Sequence, residues 1–303
     1  MKQNINNKNK IKEGSLVADI ILYAIAIFVC VITVYPMYYV IIRSISDPVK
    51  SLTHPVIFYP QGLYFGSYKL IIQDANMWRA YANTIFYVVC GTVLMLISSV
   101  LGGYPLVVNN LLGRKWIVRF LLIPMYFSGG MIPTFLLINK LNMYDTYLAM
   151  ILPGAVGIMN IILTRTYFTT IPVSLSESAK MDGANHFRIL AQIYVPLSKP
   201  ILAVIAIYTI VGIWNSWFNA MIYLPSAEKH PLQMYLQRIL VSQTVDLTQL
   251  KTAEDLREAQ ERALGATQLK YSMIVFITLP ILFVYPLFQK HFIKGVMLGS
   301  LKG

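Results

Sequence analysis

Six long apolar stretches restrict what this sequence of 303 residues can fold into. A helix that crosses a bilayer needs about 20 consecutive, mostly apolar residues. Stretches of that length occupy residues 16–42, 80–108, 116–138, 147–168, 201–224 and 271–292. Only 13% of the residues are charged, about half the share of a soluble domain, so a soluble fold would lack the groups to solvate its surface. The sequence therefore predicts an all-α integral membrane protein with six transmembrane helices.

Lysine and arginine near the ends of the stretches predict the orientation. Both residue types are enriched at cytoplasmic helix ends, and long loops count little. With the outer segment 225–270 left aside, one side carries 14 basic residues and the other carries 5. The tail 1–15 and the loop 171–200 lie on the richer side. We therefore expect both termini in the cytoplasm, with residues 16–303 forming one six-span domain.

Glycine and proline interrupt two of the stretches. The segments are SSVLGGYP at 98–105 and YFSGGMIP at 126–133. Neighbouring helices can satisfy the backbone groups that such residues free inside a membrane. We expect kinks at both places, with no additional loops.

The loop between the fourth and fifth stretches has a mixed composition. It reads ESAKMDGANHFRILAQIYVPLSKP from Glu177 to Pro200. Ser174 and Glu177 have the spacing of a capping box, in which a hydroxyl and a carboxylate bind orphan amides at a helix start. Gly183 suits the left-handed conformation that ends a helix. The pattern predicts a short helix that follows Ser174 and stops at Gly183.

A second short helix is predicted after the glycine. Asn185 is placed as its N-cap. Pro196 is expected to end it after Tyr194, because the residue before a proline disfavours the helical region. Small residues at Ala179 and Ala184 allow close docking of a partner. From spacing alone, an ordinary amphipathic connector would explain the loop equally well.

The residues of this loop resemble the cytoplasmic EAA loop of ABC-importer permeases. That pattern is Glu-Ala-Ala, three residues, Gly, nine residues, Ile, one residue and Leu-Pro. The matching positions are Glu177, Ala179, Gly183, Ile193 and Pro196, while Ser178 and Val195 depart from it. The MDGA segment is typical of the branch that imports oligosaccharides. The similarity extends to residues 78–87, 214–224 and 285–303.

The resemblance implies the fold of a type I ABC-importer permease in the bacterial cytoplasmic (inner) membrane. It implies a loop that couples to a separate cytoplasmic ATPase dimer, which binds the ATP and magnesium, so this chain itself holds no cofactor. The implied coupling residues are Glu177, Ser178, Ala179, Met181, Asp182, Gly183 and Ala184. Further implied partners are a second homologous permease chain, an extracytoplasmic solute-binding lipoprotein or periplasmic protein, and membrane lipid, with no nucleic acid.

Enzyme motifs are absent from the sequence. It contains no Gly-x-x-x-x-Gly-Lys-[Ser/Thr] phosphate loop and no metal-binding HExxH motif. The four histidines are scattered, so no metal site is expected. The chain is therefore expected to be a transport subunit and not an enzyme.

Polar and aromatic side chains within the stretches are candidates to line a substrate path, because such groups are costly against lipid. They are Asn83, Asn160, Trp214, Asn215, Trp217 and Asn219. Aromatic faces suit sugar rings, and amides suit sugar hydroxyls. Interfacial packing of the tryptophans and interhelical hydrogen bonds of the amides are the competing explanations.

The outer segment 225–270 contains a strongly helical sequence at 251–266, with oppositely charged residues four apart. We expect this helix to contact the solute-binding protein; a solvated surface helix is the alternative.

Three other functions compete with carbohydrate import. A secondary transporter would need carboxylates near the bilayer centre, whereas Asp19 is the only acid inside the stretches. A membrane anchor would not explain the polar residues of the second and fifth stretches. A permease for peptides or amino acids is the nearest rival within the family.

Overall fold

The structure is a computed structural model that describes residues 16–108, 111–242, 264–283 and 286. Within these residues every regular element is a helix. Their bounds are α1 (Leu16–Ile45), α2 (Lys50–Thr53), α3 (Gly66–Gln73), α4 (Ala75–Gly103), α5 (Arg114–Tyr126), α6 (Met131–Lys140), α7 (Leu148–Ile151), α8 (Ile158–Phe168), α9 (Val173–Met181), α10 (His186–Ile189), a π-helical segment (Leu190–Tyr194), α11 (Val195–Leu197), α12 (Lys199–Trp214), α13 (Phe218–Tyr223), a 3-10 turn (Ala227–Lys229), α14 (Leu232–Ser242) and α15 (Leu264–Phe283). The predicted all-α class is confirmed.

Three of these helices are long and apolar enough to cross a membrane: Asp19–Ile45, Ala75–Gly103 and Leu264–Phe283. Two bent pairs bring the number of candidate spans to five within the described residues. The stretch 147–168 is divided between α7 and α8. The count of six spans and the position of both termini stay predictions, since the tail 1–15 and most of 284–303 lie outside the described residues.

The expectation of a simple kink in the third stretch is wrong. Residues 127–130 separate α5 from α6, and the two helices meet at 110°. The backbone N–H of Gly130 donates to the Ser128 hydroxyl at 3.2 Å, and Gly130 has a φ of +85°. A serine side chain that binds a local amide competes with helical hydrogen bonding, and glycine makes departure from the helix inexpensive.

The glycines of the second stretch lie at the end of α4, where that helix packs closely on α8. A Cβ on Gly103 would approach the backbone nitrogen of Arg165 to 3.2 Å. These glycines therefore serve close helix packing, and α4 ends beside them.

The chain divides into two compact units. The first comprises residues 1–67 and 250–275, and buried polar groups join the end of α1 to the start of α15 within it. The Gln268 side-chain amide donates to the carbonyl of Ser46 at 2.7 Å. The Ser272 hydroxyl donates to the carbonyl of Ser44 at 3.0 Å. No residue in the most apolar window of α1 is buried, as expected for a helix surrounded by lipid.

The second unit comprises residues 68–249 and 276–303, with α4 packed against α8, α12 and α14. One face of α4 holds the outer segment through three polar side chains. Asn83 donates to the carbonyls of Glu228 and His230 at 2.7 and 3.1 Å. The Thr84 hydroxyl accepts the backbone N–H of Leu232 at 2.7 Å, and the Tyr87 hydroxyl donates to a carbonyl in the same segment.

The outer segment is described only as far as residue 242 and again from 264. Of the helix predicted at 251–266, residues 251–263 therefore lie outside the described residues, and the last three begin α15.

Candidate functional site

The loop at 171–200 contains the predicted turn at Gly183. α9 ends with Asp182 as its C-cap, and Gly183 has a φ of +77°. The N–H of Ala184 donates to the carbonyl of Ala179 at 2.9 Å, and the N–H of Gly183 donates to that of Lys180 at 3.0 Å. These two bonds form a Schellman motif, and the predicted left-handed break is confirmed.

The predicted capping box is wrong. Pro172, with φ −57° and ψ 127°, is the residue before α9, and it makes no side-chain cap. Ser174 therefore lies within the first turn and not at the N-cap position, from which a side chain can accept a free N–H of that turn. The physical reason is that the Pro172 carbonyl already accepts the N–H of Leu175 at 3.2 Å, so the helix starts before Ser174, and proline at this position has no N–H that needs a cap.

The second helix begins as predicted but does not end as predicted. The Asn185 side chain accepts the N–H of Arg188 at 2.8 Å, which confirms the N-cap. The helical path then passes through the π segment and over Pro196, and bends by 78° only at Ser198. Proline has no backbone N–H for the helical hydrogen bond, and the wider turn of the π segment ahead of it accommodates this missing bond. Pro196 therefore does not stop the helix.

Three aromatic residues, Tyr104, Phe168 and Tyr194, form a cluster, here called the aromatic root, that joins this loop to the ends of α4 and α8. The ring centroid of Tyr194 lies 5.1 Å from those of Tyr104 and Phe168, both in edge-to-face geometry. The Tyr104 hydroxyl pairs with Nδ1 of His186 at 3.1 Å. Such aromatic pairs contribute about 0.5–1.5 kcal/mol each beyond their burial. The base of the loop is therefore packed directly against the ends of α4 and α8.

The predicted coupling residues cluster around the turn. Glu177, Ser178, Met181, Asp182 and Gly183 are exposed, while Ala179 and Ala184 are half-buried against the aromatic root. Met181 is 89% exposed, at the C-terminal end of α9.

Sequence reasoning missed Phe187, which is 73% exposed on α10. The available signal was a phenylalanine two residues after the cap Asn185, in a segment whose buried positions begin only at Ile189. Met181 and Phe187 are thus two large apolar side chains exposed in this loop.

A second feature is a cavity of about 300 Å³ beside α4, α8 and α12. It is lined by Gly91, Met95, Met150, Ile151, Gly154, Asn160, Tyr208, Thr209, Gly212 and Ile213. Asn160 is the one predicted path residue among them, and its amide contacts the Met95 sulfur at 3.1 Å. Tyr208 and Thr209 were not predicted, although two adjacent polar residues within an apolar stretch were a usable signal.

The other predicted path residues do not line this cavity. Asn83 binds the outer segment, and Trp214 is buried with its ring 5.8 Å from that of Tyr81. Asn215 donates to the carbonyl of Val211 at 2.9 Å. The remaining two are Trp217, packed on Phe218, and the exposed Asn219. Contact of any of them with substrate stays a prediction.

Relatives of known family match nearly the whole chain. Residues 99–298 match the family described as binding-protein-dependent transport system inner membrane component. Protein LplC of Bacillus subtilis (strain 168) is 35% identical over 272 residues, which are 90% of each chain. The polygalacturonan/rhamnogalacturonan transport system permease protein YtcP of the same organism is 34% identical over 288 residues, covering 94% of this chain and 98% of its own.

A solved structure agrees with these matches. It is the crystal structure of a bacterial ABC transporter involved in the import of the acidic polysaccharide alginate. One of its chains is 34% identical, with a TM-score of 0.81 over 91% of this chain and 96% of that chain. The expected permease fold is therefore confirmed. The chain belongs to the family of binding-protein-dependent transport system inner membrane components, and it is an ABC-importer permease subunit, a transport component and not an enzyme.

Proposed function

We propose that this chain is one permease subunit of an ATP-driven, solute-binding-protein-dependent importer of a carbohydrate, specifically an oligosaccharide, in a bacterial cytoplasmic membrane. The names of YtcP and of the alginate transporter, both concerned with polysaccharides, support the substrate class. A second homologous permease completes the path, and a cytoplasmic ATPase dimer carries the ATP and magnesium. A solute-binding protein delivers the sugar from outside.

The turn at Gly183 is the observation that carries the coupling role. It exposes Met181 and Asp182 at the tip of a loop whose root is tied to α4 and α8. An ATPase that grips the tip moves the aromatic root, and with it the helices around the cavity. Glu177 supplies a negative charge for a basic residue of the ATPase.

The cavity has the chemistry to hold part of a sugar. Tyr208 offers an aromatic face, while Asn160 and Thr209 offer hydrogen-bonding groups. Apolar walls with a few placed polar groups are typical of small-molecule sites. We therefore place part of the carbohydrate path between α4, α8 and α12.

Co-purification from native membranes tests the coupling role. The tagged chain and its Glu177→Arg variant would be solubilised in mild detergent, and their partners quantified by mass spectrometry. Glu228→Arg is the matched control, since it reverses an exposed acid with an 80% exposed side chain in the outer segment. We expect the wild type and the control to retain an ATPase and a second permease, and Glu177→Arg to lose the ATPase alone.

Two outcomes would contradict this proposal. Retention of the ATPase by Glu177→Arg would remove Glu177 from the contact. Absence of an ATPase from the wild-type preparation would remove the importer role itself. Uptake of labelled oligosaccharides, compared with labelled peptides and amino acids, separates the carbohydrate proposal from the nearest alternative.

A further inference from the structure

A second cleft, of about 410 Å³, lies on the inner side of α9, away from the exposed tip of the loop. The ends of α4 and α8, the start of α5 and one face of α9 enclose it. Its lining combines apolar and aromatic side chains with the charged residues Arg114, Arg165, Glu177 and Lys180. The coupling role proposed above uses Glu177, which also lines this cleft, but it does not explain the basic residues there.

The cleft carries an excess of positive charge. Arg114, Arg165 and Lys180 line it, and Glu177 is the one acidic residue in its lining. Both ion pairs found among the described residues lie elsewhere, at Arg79–Glu228 and Lys229–Asp145. The three cations are therefore not neutralised by ion pairs within the part of the chain that the structure describes.

Arg165 has a specific unmet requirement. Its Nε is buried and has no hydrogen-bond partner among the described residues. A buried donor on a charged group is costly when it is left unpaired. An anionic acceptor within the cleft would give this N–H a partner.

The surroundings of the cleft indicate where such an anion comes from. α5 begins at Arg114, and none of its residues is buried. Leu112 and Trp116 are 92% and 72% exposed beside that start, and the Arg119 guanidinium lies 5.0 Å from the Trp116 ring centroid. Basic and aromatic residues at the start of an apolar helix are typical of the water–lipid boundary. We therefore expect the cleft to open at the level of the lipid head groups.

We propose that this cleft binds the phosphate group of an anionic phospholipid, with the lipid chains lying along the apolar surface of α5. Arg165 and Arg114 hold the phosphate oxygens, since a guanidinium suits bidentate phosphate binding. Lys180 contributes from α9, so the bound lipid bridges the membrane helices and the coupling loop. Basic pockets at the cytoplasmic side of membrane helices are known to bind lipid head groups.

Native mass spectrometry of the full chain, purified with its accompanying chains, tests this proposal. The sample would be exchanged into nanodiscs of phosphatidylglycerol or of phosphatidylcholine, and the lipid retained after release would be counted. We expect retained phosphatidylglycerol to fall about tenfold in the Arg114→Gln/Arg165→Gln variant. The matched control, Lys115→Gln/Arg119→Gln, removes the same charge from α5 outside the cleft lining and should retain the lipid.

A measurement on the wild type alone does not depend on whether the variants fold. Addition of phosphatidylglycerol should raise the melting temperature of the wild type, whereas phosphatidylcholine and inorganic phosphate should not. Unchanged lipid retention in a folded cleft variant, or equal loss in the control, would overturn the proposal. Stabilisation by inorganic phosphate would make a soluble anion the ligand. Loss of the ATPase at unchanged lipid retention would assign the cleft to an acidic group of that partner.

Discussion

At the scale of single residues, polar side chains hold the outer segment in place. Asp145, in a left-handed conformation with φ 55°, accepts the Ser226 hydroxyl at 2.5 Å and forms an ion pair with Lys229 at 3.1 Å. The hydrogen bond from Ser226 is the largest cause that lowers the pKa of Asp145. Ionised Asp145 therefore stabilises the folded outer surface.

Replacing Asp145 tests this charge. Because the folded pKa is lowered, its contribution to stability is complete above the ordinary aspartate pKa of about 3.9 and is lost as the pH falls through the folded value. Asp145→Asn should destabilise the protein by about 1 kcal/mol at neutral pH, and this difference should shrink below pH 4. Melting temperatures of both proteins across pH 3–7 check it. Asn142→Asp, also at φ 55°, is the control; an equal effect there would contradict the explanation.

The cavity gives a second prediction at this scale. A Cβ on Gly212 would meet no atom within 4 Å, so the side chain of Gly212→Val begins in open space beside the cavity, which Gly212 lines. Carbohydrate uptake should fall about tenfold, equivalent to about 1.4 kcal/mol of lost binding, at an unchanged level of protein in the membrane. Gly265→Val, which has equally open surroundings on α15, should transport normally. Normal uptake by Gly212→Val would exclude this cavity from the path.

At the scale of elements, the coupling loop consists of two helices held at a fixed turn. The Schellman motif ends α9, the Asn185 cap starts α10, and the π segment carries the chain over Pro196. Each of these three features gives a local hydrogen-bond partner to backbone N–H or C=O groups that a helix end would leave unpaired. The shape of the loop is therefore defined by contacts within the loop.

Gly183 provides the prediction for this element. An alanine in the left-handed region costs about 1–2 kcal/mol, and Gly183 and Gly113 have φ values of +77° and +72° with no atom within 4 Å of a Cβ. Gly183→Ala and Gly113→Ala should therefore lower the melting temperature equally. Only Gly183→Ala should reduce the ATPase activity that the loaded binding protein stimulates in liposomes. Equal loss in both variants would mean that stability, and not the turn, explains the effect.

At the scale of the whole molecule, the prediction concerns the side of the membrane on which each loop lies. In a chain with Cys30→Ala and Cys90→Ala, single cysteines would replace Met181 and Glu228, which are both highly exposed. A membrane-impermeant maleimide added to intact cells should label Glu228→Cys, and should label Met181→Cys only after permeabilisation. The reverse pattern would invert the predicted orientation.

The sequence by itself determined the features that rest on local chemistry. Apolar composition and length indicated helices in a membrane, the missing Cβ of Gly183 indicated a left-handed turn, and the side chain of Asn185 indicated a cap. Each depends on a residue and its near neighbours, so no knowledge of distant contacts was needed. The permease family followed from the resemblance that the residues of this loop carry, together with the similarity at 78–87, 214–224 and 285–303.

Tertiary structure decided what depends on residues far apart in the chain. α9 begins at Val173, ahead of Ser174. Asn83 on α4 donates to two carbonyls of the outer segment and does not line the cavity. The cavity joins Asn160 to Tyr208, and the cleft joins Arg114 to Lys180. A local pattern shows which groups need a partner, but only the packing of distant helices determines which partner each group reaches.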